Sequence, residues 1–230
     1  MIRQAMILAA GRGERMRPLT DRVPKPMIPV AGRSMLDRTM DRLSDHGVRN
    51  VVVNVHHLGE QIASHLGGRA NIVREDRLLD TGGSVKNALL LFGDEPFFVL
   101  NGDGLWTDGL VPTLKRLEAA WEPARMNALL LLHPLADAIG REASDRGDYF
   151  LADENRAYHR GTAEAAPYMF ASVSVCDWRL FHHSPEAPFS LVKLWHRAQA
   201  AGHLYGLVHD GAWFHVGTPQ ALAQAEKVLA

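Results

Sequence analysis

Short stretches that are apolar on both faces alternate with segments of helical periodicity through the first 133 residues. The stretch QAMILAA occupies residues 4–10, and NVVVNV follows at residues 50–55. A strand that is apolar on both faces has to be covered on both sides, which is typical of parallel sheets in α/β proteins. The alternation therefore predicts a three-layer α/β/α fold, Rossmann-like, with a mainly parallel mixed central sheet.

Apolar spacing and helix-capping residues give the bounds of the predicted elements. Ser34 and Asp37 form a capping-box pattern ahead of an amphipathic segment, and Gly47 is a typical helix stop. In the first half we predict strands at residues 4–10, 50–55, 71–74, 96–100 and 126–133, and helices at residues 34–46, 58–66, 83–92 and 108–121.

The pattern of elements changes after residue 134. We predict a hairpin at residues 148–159, strands at 168–176, 203–208 and 212–216, a helix at 191–201, and a last helix that opens at Thr218 and Pro219 and runs to residue 230. No linker rich in glycine, serine or proline separates the two parts. We expect one domain, residues 1–230, with one half at residues 1–133 and the other at residues 134–230.

Charge and cysteine content exclude several classes of protein. The chain has 25 lysines and arginines against 26 aspartates and glutamates and no basic stripe, so nucleic acid is not an expected partner. Cys176 is the single cysteine, which excludes an internal disulfide. No segment resembles a signal peptide or approaches the roughly 20 apolar residues of a membrane span. We therefore expect a cytoplasmic protein without a membrane partner, either a monomer or a homodimer.

Glycines and cations crowd the end of the first predicted strand, in the segment MILAAGRGERMRP at residues 6–18. Gly11 and Gly13 let a ligand approach the backbone closely. Four cations accompany them: Arg12, Arg15, Arg17 and, between two prolines that stiffen its backbone, Lys25. Exposed backbone N–H groups and fixed cations together form an anion site, which predicts binding of nucleotide phosphates.

The glycine segment differs from two other phosphate-binding motifs. Met16 stands where the dinucleotide motif G-x-G-x-x-G needs its third glycine, and the P-loop motif G-x-x-x-x-G-K-[ST] is absent from the sequence. The glycines taken alone fit a structural turn equally well. The neighbouring cations favour the anion site.

A carboxylate follows the fourth predicted strand, in the segment NGDG at residues 101–104. The carboxyl ends of parallel strands are where open α/β sheets bind their ligands. Asp103 at this place is suited to hold a hard divalent cation that bridges phosphate oxygens. The alternative interpretation is that Asp103 only caps the loop after the strand.

Five segments occur in the order found in a known enzyme family: GRGERMRPLT, VPKPMIPVAG, LLDTGGSVKNAL, NGDGLWTD and WFHVGTP. They make the chain resemble the sugar-phosphate nucleotidyltransferases from the first strand to the last helix. Within that family it is most similar to the short uridylyltransferases of bacterial cell-wall recycling that act on N-acetylmuramate 1-phosphate. The resemblance implies transfer of UMP from UTP to that sugar phosphate, release of pyrophosphate and formation of a nucleoside-diphosphate sugar.

The resemblance also implies which residues bind the nucleotide. The base and the ribose phosphate would lie against Ala9, Ala10, Gly11, Arg12 and Gly13. Glu75 and Gly82 fall in the segment that would close over the base and the ribose.

Catalytic and acceptor-binding roles follow from the same resemblance. Arg17 would contact the β- and γ-phosphates, and Lys25 would lie near the α-phosphate. Asp103 would be the principal ligand of Mg²⁺. Gly147 and Asp148 fall where the family lines its sugar pocket.

The chain departs from the family at a second metal ligand. The family ending is usually W-x-D-V-G-T, whereas this chain has His215 in WFHVGT. Three interpretations stay open: Mg²⁺ held by Asp103, phosphates and water alone; a softer ion such as Mn²⁺ bound by His215; or a weakened site in a non-catalytic nucleotide-sugar sensor. Among enzymes, the alternative is guanylyl transfer to mannose 1-phosphate or a heptose phosphate.

Overall fold

The structure is a computed structural model that describes residues 1–229. Its strands are β1 (Gln4–Leu8), β2 (Pro29–Val30), β3 (Arg33–Ser34), β4 (Asn50–Val55), β5 (Asn71–Arg74), β6 (Phe97–Asn101), β7 (Leu105–Trp106), β8 (Ala128–Pro134), β9 (Tyr149–Leu151), β10 (Ala157–His159), β11 (Tyr168–Cys176), β12 (Leu204–Val208) and β13 (Trp213–Phe214). Its helices are α1 (Met35–His46), α2 (Gly59–Leu66), α3 (Asp80–Ala88), α4 (Thr113–Ala120), α5 (Leu191–Ala200) and α6 (Pro219–Leu229).

One nine-stranded sheet contains strands from both halves of the chain. Strands β6, β1, β4 and β5 lie side by side and run parallel. Strand β11 joins the other side of β6 in the antiparallel sense and also pairs with β8 and β9. Strands β12 and β10 complete the sheet next to β8 and β9. The predicted α/β class with a mixed central sheet is confirmed, and the carboxyl ends of the four parallel strands meet at one edge.

Alternate residues of the central strands point into two different cores. In β1, Ala5 and Ile7 belong to one cluster of buried side chains, and Met6 belongs to the other. The first core includes apolar residues of α1, α2 and α4, and the second includes those of α3 and α5. The sheet is thus covered by helices on both faces, as strands without a polar face require.

The first long helix begins and ends at the residues that the sequence predicts. The Asp37 backbone N–H donates to Ser34 Oγ at 3.0 Å, which caps α1. Gly47 follows the last turn with a φ of 88°, a left-handed conformation that favours glycine.

Several predicted bounds were wrong. Helix α4 begins at Thr113 rather than at residue 108, because Asp108 lies in the loop before the helix and accepts a hydrogen bond from the Thr113 N–H at 2.9 Å. Helix α3 begins at Asp80 rather than at residue 83. The strand predicted at residues 212–216 is reduced to β13, which pairs with the unpredicted strand β7 outside the main sheet.

A third core connects the last helix to the glycine-rich segment. Ala225 of α6 belongs to one buried cluster with Met16 and Ile28. Within residues 1–229, every helix is too short or too polar to cross a membrane.

Candidate active site

A cavity of about 670 Å³ opens at the edge of the sheet where β1, β4 and β6 end. Residues predicted for the site that line this cavity are Ala9, Ala10, Gly11, Arg12, Gly13, Lys25, Glu75 and Asp103. The other predicted residues lie outside its lining: Arg17, Gly82, Gly147, Asp148 and His215. Segments far apart in the sequence therefore meet at one place.

Two glycines leave room for close contacts beside the cavity. Gly13 has a φ of 62°, and a β-carbon there would lie 2.8 Å from Thr20 Cγ2. The Gly102 N–H donates to the Leu8 carbonyl oxygen at 2.8 Å. A β-carbon at Gly102 would lie 2.8 Å from that same oxygen, so a larger residue would push the end of β6 away from β1. Gly102 thereby holds Asp103 at the cavity.

Lys25 and Asp103 form an ion pair in the cavity, with Nζ 2.5 Å from Oδ2. Lys25 lies in a short 3₁₀ turn that follows Pro24. Its side chain is 13% exposed and that of Asp103 is 35% exposed. A partly buried, charge-assisted hydrogen bond is stronger than a surface ion pair, so this contact sets the geometry of the charged end of the cavity.

Two of the three arginines in the glycine-rich segment face the cavity. Arg12 and Arg15 line it, and Arg15 Nη1 also lies 3.4 Å from Glu142 Oε1. Arg17 instead pairs with Asp21, with Nε 3.2 Å from Oδ1 and both side chains exposed. An exposed pair of this kind contributes little stability, so exchanging Asp21 for another anion costs Arg17 little free energy. Its contact with phosphates stays a prediction.

Asn54 was missed by the sequence predictions, although it connects two predicted nucleotide-binding residues. Its Oδ1 accepts a hydrogen bond from the Ala9 N–H at 2.9 Å, and its Nδ2 donates to Glu75 Oε1 at 2.8 Å. Asn54 is buried and lines the cavity. The signal in the sequence is an amide near the carboxyl end of a strand whose other polar residue, Asn50, lies at its start. A buried amide needs hydrogen-bond partners.

Gly82 packs away from the cavity. A β-carbon at Gly82 would lie 2.4 Å from Phe189 Cε2. The next residue, Gly83, donates its N–H to the Phe189 carbonyl oxygen at 2.9 Å. These contacts join α3 to the segment before α5, while Thr81 and Ser84 of the same helix line the cavity. The part of Gly82 in nucleotide binding stays a prediction.

Gly147 and Asp148 connect β9 to β11. Gly147 has a φ of 71°, and a β-carbon there would lie 2.1 Å from the Ala166 carbonyl oxygen. Asp148 Oδ2 accepts a hydrogen bond from the Phe170 N–H at 2.9 Å. Their contact with a sugar stays a prediction.

Asp103 is the one predicted metal ligand that lies at the cavity. His215 Nδ1 lies 3.5 Å from Asp145 Oδ2, and His215 does not line the cavity. Within residues 1–229, no group of three or more His, Cys, Asp or Glu side chains is placed to hold a metal ion. Proteins commonly bind Mg²⁺ through one or two carboxylates together with substrate phosphates, and Asp103 supplies one carboxylate.

The fold and the cavity define a nucleotidyltransferase. The chain matches the Nucleotidyl transferase family over residues 4–230 and belongs to that family. Enzymes of this family generally use a divalent metal ion. The predicted family and enzyme class are thus confirmed.

Individual proteins that resemble this chain include two uridylyltransferases. The chain is 38% identical to the N-acetylmuramate alpha-1-phosphate uridylyltransferase of Caulobacter vibrioides, over 98% of this chain and 96% of that protein. It is 48% identical to the enzyme of the same name from Neisseria meningitidis serogroup B, over 44% of this chain and 47% of that protein. The structure of a UDP-glucose pyrophosphorylase from Acinetobacter baumanii superposes with a TM-score of 0.80 at 18% identity, covering 98% of this chain and 92% of that one, which supports the fold.

Proposed function

We propose that the protein transfers UMP from UTP to N-acetylmuramate 1-phosphate, releases pyrophosphate and forms a nucleoside-diphosphate sugar for cell-wall recycling. One observation carries the choice of substrates: the identity to the Caulobacter vibrioides uridylyltransferase extends over 98% of the chain. The cavity supports the chemistry, because it places cations and one carboxylate beside a glycine-rich backbone segment.

The reaction needs charge neutralisation and alignment more than proton transfer. An oxygen of the sugar 1-phosphate attacks the α-phosphorus of UTP in line, and the bond to the bridging oxygen breaks so that pyrophosphate leaves. Both reactants are anions, and the positive charges of Lys25, Arg12 and Arg15, which line the cavity, would offset their repulsion. A phosphate monoester is already ionised at neutral pH, so no side chain has to act as a general base.

Asp103 would hold the divalent cation, Mg²⁺ or Mn²⁺, which when bound supplies further positive charge to the phosphate oxygens. A cation held by Asp103 would compete with Lys25, whose Nζ contacts Oδ2 of the same carboxylate. The phosphates of the nucleotide offer Lys25 an alternative anionic partner. Arg17 would likewise exchange Asp21 for the β- and γ-phosphates.

We infer that the two halves of the chain bind different substrates. All the lining residues of the cavity except Gly217 lie within residues 1–133, which supports nucleotide binding by that half. Residues 134–230 would bind the sugar phosphate, with Gly147 and Asp148 at its pocket.

The test combines each nucleoside triphosphate with a panel of sugar 1-phosphates and either Mg²⁺ or Mn²⁺, and measures pyrophosphate. We expect release with UTP and N-acetylmuramate 1-phosphate. Release only with GTP and mannose 1-phosphate or a heptose phosphate would replace this function with guanylyl transfer. Measurable UTP binding without pyrophosphate from any pair would indicate a sensor.

A substitution at His215 tests the metal site. His215→Asp is expected to keep or improve turnover with Mg²⁺, because a carboxylate is the better Mg²⁺ ligand. A collapse of turnover in this variant, with the fold intact by circular dichroism, would show that the imidazole is required.

A further inference from the structure

The loop that carries Asp103 continues into a two-stranded ribbon outside the main sheet. Strand β7 pairs with β13 in the antiparallel sense, with Leu105 opposite Phe214 and Trp106 opposite Trp213. Asp103 lies two residues before β7. A ribbon of two residue pairs is too short to be stable by itself, so contacts from the rest of the protein are needed to hold it in place.

The two strands of the ribbon are held from opposite sides by different groups. The Ile139 N–H donates to the Trp213 carbonyl oxygen of β13 at 3.1 Å. Within residues 1–229, β7 has β13 as its one neighbouring strand, and the Trp106 carbonyl oxygen accepts a hydrogen bond from Arg42 Nη2 of α1. The guanidinium of Arg42 thus serves Trp106 as the N–H of a further strand would, because a buried carbonyl group needs a donor.

Further contacts fix the side chain of Trp106, which is 1% exposed. The Arg42 guanidinium carbon lies 4.5 Å from the centroid of the Trp106 ring, a cation–π distance. Arg42 Nη1 also donates to the Arg38 carbonyl oxygen at 3.3 Å. On the other side, Asp108 Oδ1 accepts from Trp106 Nε1 at 3.3 Å and from the Thr113 N–H at 2.9 Å. Polar groups from α1 and from the loop before α4 therefore hold both the backbone and the ring of Trp106.

Arg42 lies apart from the residues that line the active-site cavity. It lines a separate groove of about 210 Å³ between α1 and the start of α4. Burial lowers the pKa of the Arg42 guanidinium, and the charge of Asp108 opposes this shift. A buried cation is costly unless it is paired and hydrogen-bonded, and the groups that pair with Arg42 are those that hold Trp106. An effect of Arg42 on the site therefore passes through the ribbon.

We propose that Arg42 is a positioning residue for Asp103. By holding Trp106 it anchors the loop after Asp103, while the Gly102 N–H, which donates to the Leu8 carbonyl oxygen at 2.8 Å, anchors the loop before it. Between these two anchors the carboxylate stays in the place from which it can bind a cation. The proposal rests on the proposed function only in taking Asp103 as the ligand of the divalent cation.

Titration with Mn²⁺ in the absence of nucleotide and sugar phosphate tests the proposal, with electron paramagnetic resonance of the free ion as the measurement. Arg42→Met keeps much of the length of the side chain and removes its donors and its charge. We expect it to weaken Mn²⁺ binding roughly 10-fold or more, as loss of a residue that orients a metal ligand commonly does. Loss of a positive charge by itself would tighten binding of a cation, so weaker binding reports a displaced Asp103.

Arg38→Met is the matched control for this substitution. Arg38 lies on the same helix and donates to a backbone carbonyl oxygen, that of Val30 in β2, at 2.7 Å. Because β2 pairs with β3 and not with the ribbon, this variant is expected to bind Mn²⁺ like the wild type. Unchanged or tighter Mn²⁺ binding by a folded Arg42→Met variant would overturn the proposal.

Hydrogen exchange of the wild type, followed by mass spectrometry, tests the same link even where Arg42→Met does not fold. Coupling is reciprocal, so if an ordered ribbon favours Mn²⁺ binding, bound Mn²⁺ favours an ordered ribbon. Saturating Mn²⁺ is expected to slow amide exchange at residues 105–107 and 212–214 and to leave exchange at residues 149–159 unchanged. Unchanged exchange throughout the ribbon would contradict the link between the ribbon and the cation.

Asp103→Asn shows whether the ion in these measurements is bound by Asp103. This variant is expected to bind Mn²⁺ more weakly and to lose the slower exchange of the ribbon. Equal Mn²⁺ binding by this variant and the wild type would overturn the proposal. Failure of the proposed function is recognised separately, as absence of pyrophosphate from every pair of substrates while the Mn²⁺ measurements come out as expected.

Discussion

Replacing Lys25 by methionine is expected to tighten binding of a metal ion and yet to slow the reaction. Methionine keeps much of the length of the lysine stem and removes the charge. The ammonium lies 2.5 Å from Asp103 Oδ2, so it competes with a divalent cation for this carboxylate. Removing this competitor frees the carboxylate.

The magnitude follows from the geometry of the pair. Unit charges 2.5 Å apart attract by about 7 kcal/mol at an effective dielectric constant of about 20, and desolvation offsets most of this. A hydrogen bond between charged groups retains a net of about 1.5–3 kcal/mol, which corresponds to roughly 10- to 150-fold in affinity for the competing ion. Turnover is expected to fall on the order of 100-fold, because a preorganised cation is lost from the transition state.

Electron paramagnetic resonance of Mn²⁺ measures the free ion directly in titrations without nucleotide, and pyrophosphate release measures turnover. Arg12→Ala is the matched control, since Arg12 lines the same cavity. It is expected to leave Mn²⁺ binding in the absence of nucleotide unchanged within about twofold. Weaker or unchanged Mn²⁺ binding by a folded Lys25→Met variant would refute the competition between Lys25 and the metal for Asp103.

Three further predictions concern stability and reactivity. Gly147→Ala is expected to lower the free energy of unfolding by roughly 3 kcal/mol or more in urea denaturation, because its β-carbon would lie 2.1 Å from the Ala166 carbonyl oxygen at a φ of 71°; a loss below about 1 kcal/mol would contradict this. Burial raises the pKa of Cys176 to about 12, so the thiol is expected to resist Ellman's reagent at pH 8 until the protein unfolds, and rapid labelling of the native protein would contradict it. Burial lowers the pKa of both His133 and His209, whose rings lie 5.9 Å apart. As the pH falls, these histidines take up protons in the unfolded chain before they do so in the folded protein, so the melting temperature is expected to drop below about pH 6.5. Replacing both histidines by glutamine should make the melting temperature less dependent on pH.

The layered fold could be predicted because burial dictates it locally. The segment FFVL at residues 97–100 carries no polar side chain, and the structure buries its alternate residues in two cores under two sets of helices. The cap at Ser34 and the stop at Gly47 also depend only on neighbouring residues. The predicted ends of helices were wrong where a contact outside the helical periodicity sets them, as the hydrogen bond to Asp108 does at the start of α4.

The charged residues of the site could be predicted by type, but their contacts could not. The pairing of Lys25 with Asp103 joins residues 78 positions apart, and periodicity carries no information about such a distance. Asn54 is a different case. The sequence predictions missed it, although its amide follows three valines near the edge of the sheet where ligands bind, and the rule that buried polar groups need partners would have identified it.

The shared core of Met16, Ile28 and Ala225 has a consequence for how the molecule is made. The glycine-rich segment packs against α6, which follows it in the chain by more than 200 residues and is therefore synthesised later. A nascent chain can form the parallel strands before α6 packs against its glycine-rich segment. The glycine-rich backbone therefore gains this packing only after α6 has been synthesised and has folded against it.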